Sequence, residues 1–210
     1  ALDEALLGLP TTAAIRDRKD AFVQVGEELL EAADASKILV VPSGSGVVIA
    51  KLGQVLARVG AEITCADSDS TALGALDSGL TTRPSKVSLQ TRYADTSLIA
   101  LGREIDLGGP FDLVIVDGLL DYIPDRVVAS LCSTVMKHLK PRRHALFSQL
   151  GPADDSFLFD HLLGWNMVRR SPENALELFE STGFARPRIV WKNGTGSMVS
   201  VARPVDSSYG

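Results

Sequence analysis

The sequence predicts an α/β fold: a doubly wound, mostly parallel seven-stranded sheet that ends in an antiparallel hairpin. Three observations predict it. Short, continuous β-branched runs suit strands buried on both faces. Segments with helical spacing separate those runs. An Asn-Gly turn, Asn193-Gly194, joins two alternating segments near the end of the chain. Strands that alternate with helices need right-handed crossovers, which makes neighbouring strands parallel.

The elements follow in order. Residues 6–33 read as helical, with Ala14, Ile15, Phe22, Val23, Val25, Leu29 and Leu30 at roughly helical spacing. Pro10, Thr11 and Thr12 mark a break and a cap near the start. Residues 38–41 form a first strand, Pro42-Ser43-Gly44-Ser45-Gly46 a glycine turn, and residues 47–59 a helix. A second strand, 62–66, ends at Asp67, and residues 70–80 are helical. Residues 87–89 make a weaker third strand, and residues 112–116 a strong fourth ending at Asp117. An amphipathic helix over 125–139, closed by Lys140-Pro141, leads to a fifth strand at 144–148. Helices over 156–168 and 172–182, the second stopped by Gly183, precede the hairpin strands 188–192 and 197–202. The layout is Rossmann-like, with residues 1–34 as a helical segment packed on the core, 35–204 as the nucleotide-binding-type domain and 205–210 as a tail.

Composition bounds the function. The 210 residues are 45% hydrophobic and 22% charged, the balance of one ordinary domain with a sizeable core. Net charge is −5 and the pI about 5.2. The densest basic clusters are the pairs Arg142–Arg143 and Arg169–Arg170, short of the basic stripe that nucleic-acid binding requires. Nucleic acid is therefore excluded as an expected partner. No apolar run approaches the ~20 residues of a membrane span, and the first residues lack the pattern of a signal peptide. Cys65 and Cys132 sit in apolar segments without metal-ligand spacing, as reduced thiols of a cytoplasmic protein do; no metal is expected. The first residue is Ala rather than Met, which suggests a chain processed or cut from a longer one, so a larger parent polypeptide or a homo-oligomer is the expected context.

The candidate chemistry collects at the strand ends, where ligands lie in open parallel sheets. Gly44 and Gly46 follow a buried strand and open a helix, so a ligand can lie against the backbone with helix N–H groups beneath it. Asp67 ends the next strand, at the distance where an acid meets ribose hydroxyls. The dinucleotide fingerprint wants a third glycine where this chain has Ile49, which weakens a nicotinamide-dependent oxidoreductase reading. Asp95, after the third strand, is placed to accept from an adenine amino group. Residues 117–122 sit opposite the glycine turn, with Tyr122 able to orient a substrate and Asp117 or Asp121 available as a base. His161 and Trp165, four apart on one expected helix face, would roof the pocket, with Arg169 a turn beyond. Arg169 or Arg170 could neutralise an acidic substrate.

Three stretches carry a family resemblance: residues 14–20 (AIRDRKD), residues 111–125 with Asp117-Gly118-Leu119-Leu120-Asp121-Tyr122 at the centre, and residues 161–170 (HLLGWNMVRR). Over residues 14–203 the chain resembles the class I S-adenosylmethionine-dependent methyltransferases, whose parallel sheet also closes with an antiparallel hairpin. Within them it is most similar to the group related to the 3-hydroxypalmitic acid methyl ester synthases. The resemblance implies S-adenosyl-L-methionine as cofactor, contacted by Ser43, Gly44, Ser45, Gly46, Asp67, Ser68, Asp95, Asp117 and Gly118. It implies a small-molecule acceptor, methylated on a carboxylate or hydroxyl oxygen, that faces Tyr122, His161 and Arg169. Class I enzymes commonly place an acid before the first glycine of the turn; this chain has Pro42 and Ser43 there. That departure sets up the alternative of a catalytically impaired domain that serves as a scaffold or binding module.

Overall fold

The computed structural model describes residues 2–33, 37–79, 86–103 and 105–205. The glycine turn and every candidate site residue fall within them; the expected helix end at Leu80 and most of the tail lie outside the described residues.

The strands are β1 (Lys37–Val40), β2 (Ala61–Asp67), β3 (Val87–Tyr93), β4 (Phe111–Val116), β5 (Leu139–Leu150), β6 (Ala185–Asn193) and β7 (Gly196–Ala202). They form one seven-stranded sheet in the order β3-β2-β1-β4-β5-β7-β6. The pairs among β1 to β5 are parallel, whereas β7 runs antiparallel to both β5 and β6. The expected architecture is present.

The helices are α1 (Leu2–Leu7), α2 (Pro10–Ala33), α3 (Val47–Val59), α4 (Ser70–Gly79), α5 (Thr96–Ala100), α6 (Asp125–His138) and α7 (Pro172–Glu180). Strand alternation splits the core in two. Ile38, Val40, Leu113 and Ile115 face Phe22, Leu30, Leu52 and Leu76 of the helices α2 to α4. Leu39, Val114, Val116 and Phe147 face Ile99, Leu131, Val135 and Phe179 of α5 to α7. Because both sheet faces are covered, central strands read as unbroken apolar runs, and all six residues of β4 are buried.

Two strands extend beyond their apolar cores. β3 continues to Tyr93, since backbone pairing with β2 holds as far as Asp67↔Tyr93 even where side chains are half-exposed. β5 begins at Leu139, directly after α6, so Lys140-Pro141 does not close the helix but starts the strand; Lys140 Nζ donates to Asp112 Oδ2 at 2.9 Å.

The expected helix over 156–168 is the main correction. After one turn the chain forms a π-helical turn, Leu158–Leu162, in which Leu163 N–H reaches the Leu158 carbonyl. Gly164 then takes a left-handed conformation, φ 65°, and the chain leaves the helix. Residues beyond it cross the strand tips: Val168 N–H donates to the Asp121 carbonyl at 2.8 Å and Arg170 N–H to that of Leu150 at 3.0 Å. His161, Trp165 and Arg169 therefore do not share a helix face.

This crossing segment and the start of α2 meet. The Thr11 backbone N–H donates to Asp155 Oδ2 at 2.8 Å and its hydroxyl to Oδ1 at 2.6 Å, with both residues buried. Asp155→Ala leaves both donors of Thr11 without an acceptor. We expect a loss of about 1–3 kcal/mol in urea unfolding, with faster amide exchange confined first to α1 and the opening turns of α2.

Candidate functional site

The two glycines of the turn do different work. Gly44 has φ 52°, and a Cβ there would meet nothing within 4 Å, so the space over it is open. Gly46 has φ 80°, and a Cβ there would overlap Leu76 Cδ1 well inside van der Waals contact. Gly46 therefore seats the turn on α4, where a side chain at this position would meet Leu76. No side chain caps α3, which starts after Gly46. Its first-turn N–H groups are left for solvent or a ligand. Ser43 is half-buried, with its N–H bonded to the Ala66 carbonyl at 3.0 Å, and Ser45 is exposed.

Asp67 is buried at the tip of β2 and faces the turn. Its Oδ2 accepts from Gly44 N–H at 2.7 Å and its Oδ1 from Asp69 N–H at 3.0 Å. The α4 start is capped by Asp69, whose Oδ1 takes the N–H groups of Thr71 and Ala72. Ser68, exposed on the same tip, lies 3.4 Å from the Thr96 hydroxyl across the β2–β3 gap. Asp95 caps α5: one oxygen, Oδ1, accepts from Ser97 N–H at 2.8 Å and Leu98 N–H at 3.3 Å.

The tip of β4 departs most from expectation. Asp117 is enclosed by α2: Arg18 Nε lies 3.1 Å from its Oδ1, Lys19 Nζ pairs with its Oδ2, and the Ser148 hydroxyl also donates to it. Gly118 has φ 74°, and a Cβ there would stand 2.6 Å from Arg18 Nη2. This glycine thus makes room for the Arg18 guanidinium. Asp121 is 1% exposed, pairs with Arg18 Nη1 at 2.8 Å and accepts from Leu150 N–H at 2.7 Å. Burial pushes its carboxyl above the usual range, against the pull of Arg18. Asp117 and Asp121 are therefore braces with cationic partners, and neither is an open general base.

Tyr122 is different. It is 54% exposed and its oxygen accepts from Trp165 Nε1 at 2.8 Å. Burial of half the ring raises its hydroxyl pKa, so it stays protonated, with that proton free to be donated outward. Tyr122 lines an apolar cleft of about 440 Å³, along with Pro42 of the turn, Thr96 and Ser97 after β3, and Leu119 after β4. The cleft has the size of a small-molecule site.

His161 is exposed and packs at a tilt of 50° against Phe157, with ring centroids 4.8 Å apart. Arg169 is packed away, its side chain 8% exposed, with Nη1 donating to Thr11 Oγ1 at 3.2 Å. Arg170 is buried as well. It donates to the carbonyls of Leu120 and Ile123 at 2.7 and 2.6 Å and to Asp125 Oδ1 at 2.8 Å. Asp125 therefore serves as an ion-pair partner, with Pro124 in the cap position of α6. Neither arginine presents its guanidinium to a substrate; both hold the crossing segment.

Sequence reasoning missed Arg18 and Lys19 as parts of the site. A signal existed. Arg18 lies on the line Ala14, Arg18, Phe22, whose other members are buried, and a charge on an apolar stripe needs a buried partner. Arg18→Met removes that partner from two buried carboxylates. We expect a loss of about 3–5 kcal/mol at pH 7. Asp121 in the folded state binds its proton more tightly than in the unfolded chain, so its contribution falls as pH rises. Losing Arg18 steepens this, and the stability gap between variant and wild type should narrow when denaturation is repeated at pH 5.

No family model matches the chain, and no curated protein matches it. Solved structures do. A "possible exported protein" from Bordetella parapertussis superimposes with a TM-score of 0.75 at 21% identity, covering 93% of this chain and 70% of that one. The CMeT domain of the citrinin polyketide synthase gives 0.69 at 14% identity, over 94% of this chain and 58% of that one. The magnesium protoporphyrin IX methyltransferase of Synechocystis, with bound S-adenosylhomocysteine, gives 0.61 at 18% identity, over 92% of this chain and 87% of that one. At these identities the likeness establishes the fold, which is that of S-adenosylmethionine-dependent methyltransferases.

Proposed function

We propose that the chain is an S-adenosylmethionine-dependent methyltransferase acting on an oxygen of a small molecule, a carboxylate or a hydroxyl. One observation carries the reading. The open space over Gly44, beside the uncapped start of α3, lies two residues from Pro42, which lines the apolar cleft running to Leu119 and Tyr122. That combination offers N–H groups for a charged end and apolar walls for an aromatic one. The methyltransferases of the same fold support it, among them the Synechocystis enzyme with its bound product.

The cofactor, when bound, supplies a methyl group on a sulfonium. The residues of this chain would do the rest. Gly44 and the α3 start would hold the amino-acid end, Asp67 would lie beside the ribose, and Pro42, Ser97 and Leu119 would enclose the base. Tyr122 keeps its proton and has its oxygen lone pair engaged by Trp165, so it is set to donate to an acceptor oxygen. An acceptor that arrives as a carboxylate needs no base, which fits carboxyl groups at 117 and 121 that are already paired. A dry cleft and alignment suffice for such a displacement. The methyl ester synthase-like acceptor implied by the sequence resemblance is of this kind.

The departure at Pro42 and Ser43 favours a second reading, a domain that keeps the shape and has lost turnover. No acid precedes Gly44 to meet the ammonium of the cofactor. Binding of S-adenosylhomocysteine without methyl transfer would support it.

Calorimetric titration of S-adenosylhomocysteine into the chain is expected to show saturable binding. Absence of heat with protein at high micromolar concentration would overturn the first reading. Ser97→Trp fills the cleft from an exposed position and should weaken binding by about tenfold or more, roughly 1.4 kcal/mol, with the melting temperature unchanged. Tyr122→Phe should leave binding intact and lower the rate of methyl transfer by about tenfold to a hundredfold, read as a fall in kcat with little change in cofactor Kd.

A further inference from the structure

The opposite end of the sheet carries a second concave feature. A cleft of about 750 Å³ opens where β5 and β6 begin and β7 ends, lined by Arg142, His144, Arg186 and Arg203 over a floor that includes Ala185 and Ala202. β5 runs parallel to β1 and β4, so its first residues lie at the end of the sheet away from the glycine turn. The two clefts are thus at opposite ends of the sheet.

Its charge is unusual for a chain of net charge −5. Among the described residues no carboxylate lines it. Other arginines of this end are used: Arg143 pairs with Asp112 at 3.2 Å, and Arg203 Nη1 donates to the Leu139 carbonyl, although its Nε is buried without a partner. The side chains of Arg142 and Arg186 make no hydrogen bond or ion pair among the described residues. His144 Nδ1 shares a hydrogen bond with Ser200 Oγ, 3.3 Å away. Burial, and then the fields of Arg188, Arg143 and Arg186, hold its ring below its usual pKa, which marks the same concentration of positive charge.

The backbone adds an independent mark. Arg142 and Arg186 have φ of 63° and 53°, and they are the positive-φ residues of the described chain that are not glycine. A side chain in that region is disfavoured. Each arginine sits in a β-bulge, Arg142 where β5 shifts register against β4 and Arg186 where β6 shifts against β7, the kind of irregularity that re-aims a side chain. Strained positions cluster at ligand sites. Here both residues line a single cleft, and among the described residues neither guanidinium has a partner. β6 is the edge strand of the sheet, so Arg186 has no neighbouring strand on its outer side.

We propose that this cleft binds a small organic phosphate with at least two negative charges, of the nucleoside diphosphate type. Guanidinium groups recognise phosphate oxygens by paired N–H donors. Several cations around one concavity need more charge than a single carboxylate brings. Apolar floor residues give an organic moiety a surface to lie on. The four cleft-lining cationic or titratable side chains converge on one concavity, which fits a compact ligand better than a nucleic-acid duplex.

The test uses the full chain at low salt, titrated with pyrophosphate and with ADP. Saturable binding of both is expected. Arg142→Gly and Arg186→Gly remove the charge and relieve the left-handed strain, so each should weaken binding by about tenfold while the melting temperature holds or rises. ADP binding must survive Ser97→Trp, which separates this cleft from the one at the strand tips. Absence of binding by either probe, binding indifferent to the double Arg142→Gly/Arg186→Gly change, or loss of ADP binding in Ser97→Trp would overturn the proposal. So would tighter, arginine-dependent binding of a DNA duplex or of anionic lipid vesicles.

Discussion

The arrangement at the strand tips depends on one buried ion cluster. Arg18 enters from α2 and stands between Asp117 and Asp121, which close in on it at 3.1 and 2.8 Å. Two carboxylates this close repel each other and are costly to desolvate, a cost the guanidinium offsets. The cluster therefore fixes three things together: the angle at which α2 crosses the sheet, the turn that follows β4, and the need for glycine at position 118. Ser148 of β5 joins it by accepting from Gly118 N–H at 2.9 Å and donating to Asp117. The helical segment that precedes β1 is by this link part of the site and not a separate appendage.

A second guanidinium holds the same turn from the other side. Arg170 takes two carbonyls, Leu120 and Ile123, that a short 3-10 turn at Leu119–Tyr122 leaves without helical partners. It also ties that turn to α6 through Asp125. With the backbone gripped from both sides, Leu119 and Tyr122 face the cleft on a rigid support. Phe157, Leu162 and Trp165 are 66%, 69% and 38% exposed around the π-helical turn, and Trp165 is tied to the same 3-10 turn by its bond to the Tyr122 oxygen.

The fold was legible because the pattern that encodes it is collective. Buried parallel strands announce themselves as apolar runs, and β4 or β1 could hardly be read otherwise. Gly44 and Asp67 were legible for the same reason: a turn after the first strand and an acid at the tip of the second are positions set by topology, and the two are bonded to each other. The misreadings share a different origin. Asp117, Asp121, Arg169 and Arg170 were read as chemistry because they are charged and lie near the strand ends. Whether a charge faces a ligand or another charge depends on a partner distant in sequence, and the separation of Arg18 from Asp121 is 103 residues. The helix over 156–168 failed through one residue, Gly164, whose left-handed backbone turns a periodic segment into a strap.

The missing acid before Gly44 has a definite consequence for how the turn can recognise a ligand. Backbone N–H groups at the start of α3 and the hydroxyls of Ser43 and Ser45 are donors, and the positive end of the helix dipole adds to them. Such an assembly favours the carboxylate of a bound amino acid and offers its ammonium nothing ionic. Asp67 cannot turn to help, because both of its oxygens already hold backbone N–H groups that shape the turn itself. A charge-assisted hydrogen bond contributes about 1.5–3 kcal/mol, so its absence corresponds to roughly one to two orders of magnitude in affinity. The apolar cleft must supply the larger share of binding, and selectivity at this turn would rest on the adenosyl end of a ligand more than on its amino-acid end.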